Sequence, residues 1–407
     1  KSAKHQQSLD LSHRLEKAQQ DREARVQRYL LQNPELDKVP YDIDPNGRPL
    51  YQQSENYNTV KTSQGDKVQI GGVSGYALSG INVKAGVWEI SRVDTSHSAF
   101  QSRVQQVDTS GGPSLGSHAT HVTGTIVASG NSNSSLKSFA YAGNLDAYTA
   151  NNDAFEMNAA ATAGFLVSNH SYGTIAGWNN GVWKGDSGQS DDYVFGAYTR
   201  RSRDWDEIAY LNPFYTIVKS AGNDRNDVSA DPNTAPDDCA PLGYDCLPNH
   251  SVAKNVITVG AVNDVLANWG DSTQVLMSSF SAWGPADDGR IKPDLVANGV
   301  SLLSTNLGNT NSFSSGTSMS APSVTGGVML LQEMSFNSYG GTYLKSASIK
   351  GLLILSADPA GPYAGPDYSF GWGLMNLHAA ADVIHRDTLG VGSQILEESL
   401  EQGQTAN

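Results

Sequence analysis

Short apolar runs alternate with segments of helical periodicity from about residue 76 to residue 385. The runs predict β-strands, and the segments between them are long enough for helices. Apolar strands separated by helices are typical of a parallel sheet that is covered on both faces. The pattern therefore predicts an α/β domain with a mainly parallel sheet. The predicted strands are Val83–Glu89, Leu166–Ser168, Tyr215–Lys219 and Val256–Val259, and the clearest helices are Asp153–Gly164 and Ser320–Met334.

The two ends of the chain follow different patterns. Residues 1–35 predict a helix that Pro34 ends, and residues 36–75 predict loops and short strands because Pro, Asn and Gly recur there. Residues 386–407 are acidic and rich in Gln. We therefore divide the chain into an N-terminal extension or propeptide-like segment (1–75), the α/β domain (76–385) and a linker or the start of a missing C-terminal domain (386–407). The apolar positions of the first helix are Leu11, Leu15, Val26, Leu30 and Leu31.

The composition excludes some classes of function. The chain has 407 residues, a formal net charge of −14 and only 17% charged residues, with no basic stripe. Because nucleic-acid binding requires clustered cations that neutralise phosphates, we expect no nucleic-acid partner. No run of about 18 apolar residues occurs, so we also expect no transmembrane segment.

The chain has two cysteines, Cys239 and Cys246, in a polar loop. Their spacing does not fit a zinc site, and two ligands would not suffice. Two free thiols remain an alternative, but a local disulfide is the favoured interpretation. A disulfide indicates an oxidising compartment.

The strongest chemical signal is residues 316–322, Gly-Thr-Ser-Met-Ser-Ala-Pro, at the start of an apolar helical run. A serine at a helix start is ordinarily a cap. The backbone N–H groups and the dipole at such a start also favour the negative charge that develops on an attacked carbonyl. The order of the seven residues resembles the nucleophile motif of subtilisin-like serine proteases, which makes Ser318 the candidate nucleophile.

Residues 117–125, Ser-His-Ala-Thr-His-Val-Thr-Gly-Thr, resemble the segment of the same family that contains its general base. Ala119 and Thr123 stand where the family usually has Gly and Ala. Two histidines at this spacing also suggest a metal pair, but no nearby Cys or carboxylate set completes one. We therefore expect His118 to be the base and His121 to pack behind it.

Two further segments extend the resemblance to the substrate side of the site. Residues 220–223, Ser-Ala-Gly-Asn, follow a predicted strand and would ordinarily form a turn. They resemble the family's Ala-Gly-Asn, which implies that Asn223 lies in the oxyanion hole. Ser171, Tyr172 and Gly173 occupy the place of the strand that lines the family's primary specificity pocket, which implies a substrate-binding role.

The acid of the triad is where the sequence departs from the family, which expects a strand ending in Asp. The corresponding strand here ends at Glu89, which shares one face with Val83, Ala85 and Val87. Asp94, followed by Thr and Ser, resembles the motif locally but lies too close to the His97 segment. We favour Glu89 and keep Asp94 as the alternative; a third interpretation is that neither acid acts and the enzyme is crippled.

The resemblance covers most of residues 76–385 and implies a three-layer subtilisin-like α/β fold. It implies a serine endopeptidase with polypeptide substrates, secreted or at the cell surface of a bacterium, with no cofactor for the chemistry. The chain looks closest to bacterial secreted members with an additional C-terminal β-rich domain. No metal ligands are assigned, although the Asp- and Asn-rich segment Asn223–Asp245 could bind a structural calcium. A pseudo-protease that only binds, and an esterase, are the rival functions.

Overall fold

The computed structural model describes residues 17, 21, 24–33, 42–43, 49–50, 56–108, 113–187, 189, 191–231, 239, 244–265, 269–363, 365–390 and 395–398. The chain divides into two compact units, Lys1–Ser54 and Glu55–Asn407. No helix in the described part is long and apolar enough to span a membrane.

The first unit contains a helix and a strand pair. Residues 17, 21 and 24–32 are helical, and we call residues 24–32 α1. Val26 is buried, as the apolar pattern predicts. Leu11, Leu15 and Pro34 lie outside the described residues. Strands β1 (Asp42–Ile43) and β2 (Pro49–Leu50) pair antiparallel.

The second unit is built on a seven-stranded parallel sheet. The strands of this unit are β3 Lys84–Glu89, β4 Val104–Gln106, β5 Asn144–Thr149, β6 Val167–His170, β7 Trp178–Asn179, β8 Val182–Trp183, β9 Thr216–Ser220, β10 Ile257–Val262, β11 Leu295–Asn298, β12 Leu302–Asn306 and β13 Thr310–Ser314. The sheet has the order β11-β10-β9-β6-β3-β5-β4, and all of its pairings are parallel. Since the carboxyl ends of parallel strands meet at one edge, residues that follow β3, β6 and β9 are neighbours.

Helices cover both faces of the sheet, which confirms the three-layer α/β prediction. The helices of the second unit are α2 Asn56–Thr62, α3 Gly65–Val68, α4 Ser117–Val127, α5 Asp153–Thr162, α6 Arg200–Leu211, α7 Thr317–Ser338, α8 Ser346–Ser356 and α9 Leu377–Thr388. On one face Val87 packs with Val122 of α4 and Val324 of α7. On the other face Trp88 packs with Met157 of α5 and Trp205 of α6.

The second unit begins earlier than the domain boundary predicted from the sequence. Helices α2 and α3 belong to it, and their residues Val60 and Val68 lie in the main hydrophobic core. Asn298, at the end of β11, donates a hydrogen bond to Thr59 Oγ1 at 3.1 Å and another to Asp264. This amide therefore joins α2 to β11, which is an edge strand of the sheet.

The tail after α9 is partly described and contacts the second unit. Glu397 Oε1 accepts hydrogen bonds from the backbone N–H of Lys345 at 2.7 Å and from Ser348 Oγ at 2.5 Å. These donors lie at the start of α8, where a carboxylate is favourable to the helix dipole. The linker or missing C-terminal domain expected over residues 386–407 stays a prediction.

Candidate active site

Glu89 is the last residue of β3 and is completely buried. Period-two geometry directs it to the same face as Val87, toward α4 and α7. Its Oε2 lies 2.8 Å from His118 Nδ1. Its Oε1 is buried and has no hydrogen-bond partner in the described part of the chain. The strand therefore places one carboxylate oxygen at the imidazole of His118.

His118 is the second residue of α4, and the side chain is 38% exposed. The negative charge of Glu89 raises the pKa of His118 above its usual value, and burial partly opposes this effect. Because Glu89 holds Nδ1 as a hydrogen-bond donor, Nε2 is left as the basic nitrogen. This is the protonation pattern of a general base.

His121 lies one turn further along α4 and is buried. Its Nε2 donates to the carbonyl oxygens of Leu302 and Ser312, at 3.0 and 3.2 Å, in the β12–β13 hairpin. Burial lowers the pKa of His121 to about 4, so the ring stays neutral at pH 7. These contacts agree with the packing role expected for His121.

Ser318 is the second residue of α7 and lies beside the end of β6. Its Oγ donates to the carbonyl oxygen of Ser171 at 3.2 Å, and Ser171 Oγ donates to the carbonyl oxygen of Ser318 at 3.1 Å. The Ser318 carbonyl can accept this bond because Pro322, four residues later, has no N–H to donate. The nucleophile motif thus contains the serine and also the proline whose missing N–H leaves the Ser318 carbonyl available to Ser171.

Asn223 follows β9 and is oriented by Thr317. Its Oδ1 accepts from the Thr317 N–H at 2.9 Å and from Thr317 Oγ1 at 3.0 Å. Two donors on Oδ1 fix the amide orientation and leave Nδ2 for an acceptor in the site. Gly316 has φ +154°, and a Cβ there would lie 3.5 Å from Asn223 Nδ2 and 3.6 Å from the Ser318 nitrogen. The missing side chain therefore keeps these two donors accessible.

Asp94, the alternative acid, lies in a loop and is held by other partners. Its Oδ1 accepts from Ser96 Oγ at 2.5 Å, and its Oδ2 accepts from the Gly308 N–H at 2.9 Å. These bonds lower the pKa of Asp94 below its usual value. Of the two acids that the sequence leaves open, Glu89 is the one bonded to His118.

The three residues expected to bind substrate have different surroundings. The Ser171 hydroxyl is occupied by Ser318 and Asn169, as a donor to the first and an acceptor from the second. Tyr172 and Gly173 line a cavity of about 360 Å³ between the amino ends of α5 and α6. Tyr172 is fixed there because its hydroxyl donates to Asp153 Oδ2 at 2.8 Å. Their roles in substrate binding stay predictions.

Lys219 and Thr317 were not assigned by sequence reasoning. Lys219 lies in β9, is 1% exposed, and donates from Nζ to the carbonyl and hydroxyl oxygens of Ser220 at 2.8 Å each. Burial lowers its pKa to about 7, although the charges of Glu89 and Asp224 partly oppose this effect. The sequence feature that could have identified Lys219 is a lysine within a predicted apolar strand. Thr317 was within the nucleophile motif, but only the structure shows its bond to Asn223.

The structure tests the disulfide prediction but not the calcium prediction. Cys239 and Cys246 are joined by a disulfide, as the sequence analysis favoured. Among the described residues, no group of three or more His, Cys, Asp or Glu side chains is arranged to hold a metal ion. Residues 232–238 and 240–243 of the Asp-rich segment are not among the residues that the structure describes. The calcium site therefore stays a prediction.

A protein-family model matches most of the chain. Residues 16–373 match the model of the family described as the subtilase family. The chain belongs to the subtilase family. The family predicted from the motifs is thereby confirmed.

Sequence matches to individual proteins cover short segments of the chain, whereas structural matches cover most of it. An 81-residue segment is 43% identical to C5a peptidase of Streptococcus pyogenes serotype M3, and a 120-residue segment is 36% identical to pyrolysin of Pyrococcus furiosus. These segments cover 20% and 28% of this chain but only 7% and 8% of those relatives. The solved structure of the CspB protease of Clostridium perfringens is similar with a TM-score of 0.65 and 19% identity, over 81% of this chain and 99% of that one. The self-cleaved protease domain of PatA gives a TM-score of 0.54 at 20% identity, over 75% and 97%. The structural likeness confirms the subtilisin-like fold.

Proposed function

We propose that this chain is a secreted serine endopeptidase that cleaves polypeptides through an acyl-enzyme. The observation that carries the proposal is the 2.8 Å contact between the buried Glu89 and His118, at the sheet edge where Ser318 and Asn223 also lie. A subtilase that had lost turnover would have no need to keep a buried carboxylate on the imidazole. The chain order acid, histidine, serine is that of the subtilisin triad.

In this mechanism His118 Nε2 takes the proton of Ser318 Oγ as the oxygen attacks the carbonyl carbon of the scissile peptide. The hydroxyl proton, which is donated to the Ser171 carbonyl before substrate binds, turns toward His118 for this step. Glu89 stabilises the imidazolium and keeps the productive tautomer. The imidazolium then protonates the leaving amine, and water hydrolyses the acyl-enzyme with His118 again as base.

Negative charge on the carbonyl oxygen is stabilised by two donors. Asn223 Nδ2 is one, because Thr317 occupies the other end of the amide. The Ser318 N–H at the start of α7 is the second, and the helix dipole adds to it. Both donors are fixed before substrate binds, so little reorganisation is required in the transition state.

The proposal of secretion rests on the disulfide between Cys239 and Cys246, since such bonds persist mainly in oxidising compartments. Intact-mass measurement after iodoacetamide treatment in denaturant without reductant tests the bond. We expect no alkylation, because the two buried cysteines are then accessible and only the disulfide protects them. Two alkylations without reductant would contradict an oxidising location.

Turnover of matched amide and ester substrates distinguishes the three functions. We expect the wild-type protein to hydrolyse a peptide library, and Ser318→Ala and His118→Ala to lose this activity. Hydrolysis of esters without amides would instead indicate an esterase. Binding of peptides without hydrolysis of either substrate would indicate a pseudo-protease.

A further inference from the structure

Lys219 is a buried lysine near the end of β9, four residues before Asn223. In the described part of the chain both acceptors of its hydrogen bonds are neutral oxygens, the carbonyl and the hydroxyl of Ser220. An ammonium has three donors, so one N–H is left for another partner. Burying a charge is costly unless an opposite charge compensates it.

Two glycines lie at the strand ends near Lys219, and we call the space that their missing side chains leave beside Pro248 the slot. A Cβ on Gly173 would lie 3.9 Å from Lys219 Nζ and 3.9 Å from Pro248 Cγ. A Cβ on Gly222 would lie 3.1 Å from Asp224 Oδ2 and 3.2 Å from Pro248 Cδ. The ammonium of Lys219 therefore lies at the Gly173 side of the slot, and the carboxylate of Asp224 lies at the Gly222 side.

The slot adjoins the atoms that react. Gly173 is two residues after Ser171, whose carbonyl accepts from Ser318 Oγ at 3.2 Å. Gly222 directly precedes Asn223. When an acyl carbon is bound to Ser318 and its oxygen is held by Asn223, the side chain of that acyl residue enters the adjoining space. A carboxylate on this side chain would accept the third N–H of Lys219 and add to the favourable charges of Glu89 and Asp224.

We propose that Lys219 selects substrates with an aspartate or glutamate side chain on the acyl side of the scissile bond. The inference rests on the proposed endopeptidase function and names the substrate class of that site. A charge-assisted hydrogen bond to Lys219 favours the acidic peptide over its amide isostere by about 10–100-fold in kcat/KM. The two peptides are equal in size, so the ratio reports charge alone.

The experiment compares peptides that differ only in Glu against Gln, or Asp against Asn, at that residue. We expect wild-type kcat/KM to favour the acids, and Lys219→Met to bring both ratios close to one or below. Lys219→Arg retains the charge and should retain part of the preference. Lys292→Met is the matched control, because Lys292 is equally buried but is paired with Asp294; its ratios should equal those of the wild type.

A measurement on the wild-type protein alone covers the case in which Lys219→Met does not fold. The pKa of Lys219 is about 7, so the fraction of charged amine decreases between pH 6 and 9. The Glu-to-Gln ratio should therefore fall about tenfold or more over this range, because kcat/KM reports the titration of the free enzyme. Protonation of His118 affects both peptides equally and cancels in the ratio.

The other groups that interact with Lys219 do not explain such a change. Burial lowers the pKa of His170 well below its usual value and that of His250 to about 3, so both rings stay neutral from pH 6 to 9. The remaining partners in its electrostatic environment are Glu89 and Asp224, and both favour the charged amine.

The outcomes separate this proposal from the one on which it rests. A wild-type ratio near one, or a preference that Lys219→Met leaves unchanged, overturns the role of Lys219 while peptide hydrolysis still supports the endopeptidase. Absence of hydrolysis of every peptide, with no reaction of Ser318 with a fluorophosphonate, overturns the endopeptidase function itself.

Discussion

The acid bonded to His118 is a glutamate, one methylene longer than the aspartate that subtilisin-like proteases usually have. Catalysis requires an anion directed at the second imidazole nitrogen, and the longer side chain meets this requirement from the last residue of β3. The strand end differs accordingly: Ile90 is 68% exposed where the family usually has a small residue. Glu89 and the turn that follows it therefore differ together from the usual family pattern.

Substitution of the two candidate acids tests this assignment. Loss of the acid from a subtilisin triad costs about 3 × 10⁴ in kcat. We expect Glu89→Gln to lose activity on the order of 10³–10⁵-fold in kcat, because the His118 tautomer and the imidazolium lose their support. Asp94→Asn should lose less than about tenfold, since the Asp94 carboxylate accepts from Ser96 and Gly308 and is not bonded to His118. An inactive Asp94→Asn beside an active Glu89→Gln would transfer the role to Asp94.

The pH dependence of kcat/KM tests the electrostatics of the same pair. The charge of Glu89 raises the pKa of His118, so the base is protonated, and inactive, up to a higher pH than a solvent-exposed histidine. The acidic limb should therefore have its midpoint above about 6.5, the value of an unperturbed histidine. The profile should be measured with a neutral peptide so that Lys219 does not contribute. A midpoint below that reference value would contradict the coupling.

At the scale of elements, helix α7 and strand β6 are joined by the reciprocal bonds between Ser171 and Ser318. Pro322 makes this arrangement possible, because an N–H at position 322 would compete for the Ser318 carbonyl. In the wild-type protein that carbonyl depends on Ser171 for its donor. Removing a partner from a buried polar group costs about 1–3 kcal/mol.

A double-mutant cycle tests this dependence. Ser171→Ala should lower the free energy of unfolding by about 1–3 kcal/mol in the wild-type background. In the Pro322→Ala background the loss should be smaller by roughly 0.5 kcal/mol or more, because the N–H of residue 322 then supplies a donor. Ser335→Ala, at the far end of α7, is the control and should cost the same in both backgrounds. Equal losses for Ser171→Ala in the two backgrounds would contradict the account.

Sequence patterns located some elements better than others, for physical reasons. Strands β3, β6, β9 and β10 were predicted because each is mostly buried and contains or adjoins a short apolar run. Strand β5 alternates buried with more exposed residues, and β4 has only three residues, so both were missed. Ser318, His118 and Asn223 stood in contiguous motifs, whereas Lys219 is brought beside the end of β6 only by pairing of β6 with β9.

At the scale of the whole molecule, α2 is attached to the sheet through a buried polar cluster. Asp264 Oδ1 accepts from Thr62 Oγ1 at 3.3 Å and also from Asn298, which in turn donates to Thr59. Burial raises the pKa of Asp264 to about 7, and these hydrogen bonds partly oppose the effect. The sequence could not reveal this cluster because Thr59 and Thr62 are more than 200 residues away from Asp264 and Asn298.

The raised pKa of Asp264 makes the stability of the protein depend on pH. Between about pH 4 and 7 the folded state binds more protons at this site than the unfolded state, so stability falls as pH rises. Asp264→Asn keeps an acceptor oxygen without the charge, and we expect it to be more stable than wild type at pH 8 by about 1–3 kcal/mol. Urea unfolding at pH 5 and pH 8 measures this difference. Glu207→Gln, at an exposed position of α6, should retain the wild-type pH dependence. An Asp264→Asn protein with that same dependence would contradict the role of Asp264.

Covalent labelling of the nucleophile tests the central claim most directly. The wild-type protein, treated with a fluorophosphonate and digested, should carry one adduct, and tandem mass spectrometry should place it on Ser318. The rate of labelling should fall steeply in His118→Ala and Glu89→Gln, because both variants weaken deprotonation of the serine. Ser318→Ala should carry no adduct while its circular dichroism spectrum is unchanged. An adduct retained in Ser318→Ala, or placed on another residue of the wild-type protein, would contradict the assignment of the triad.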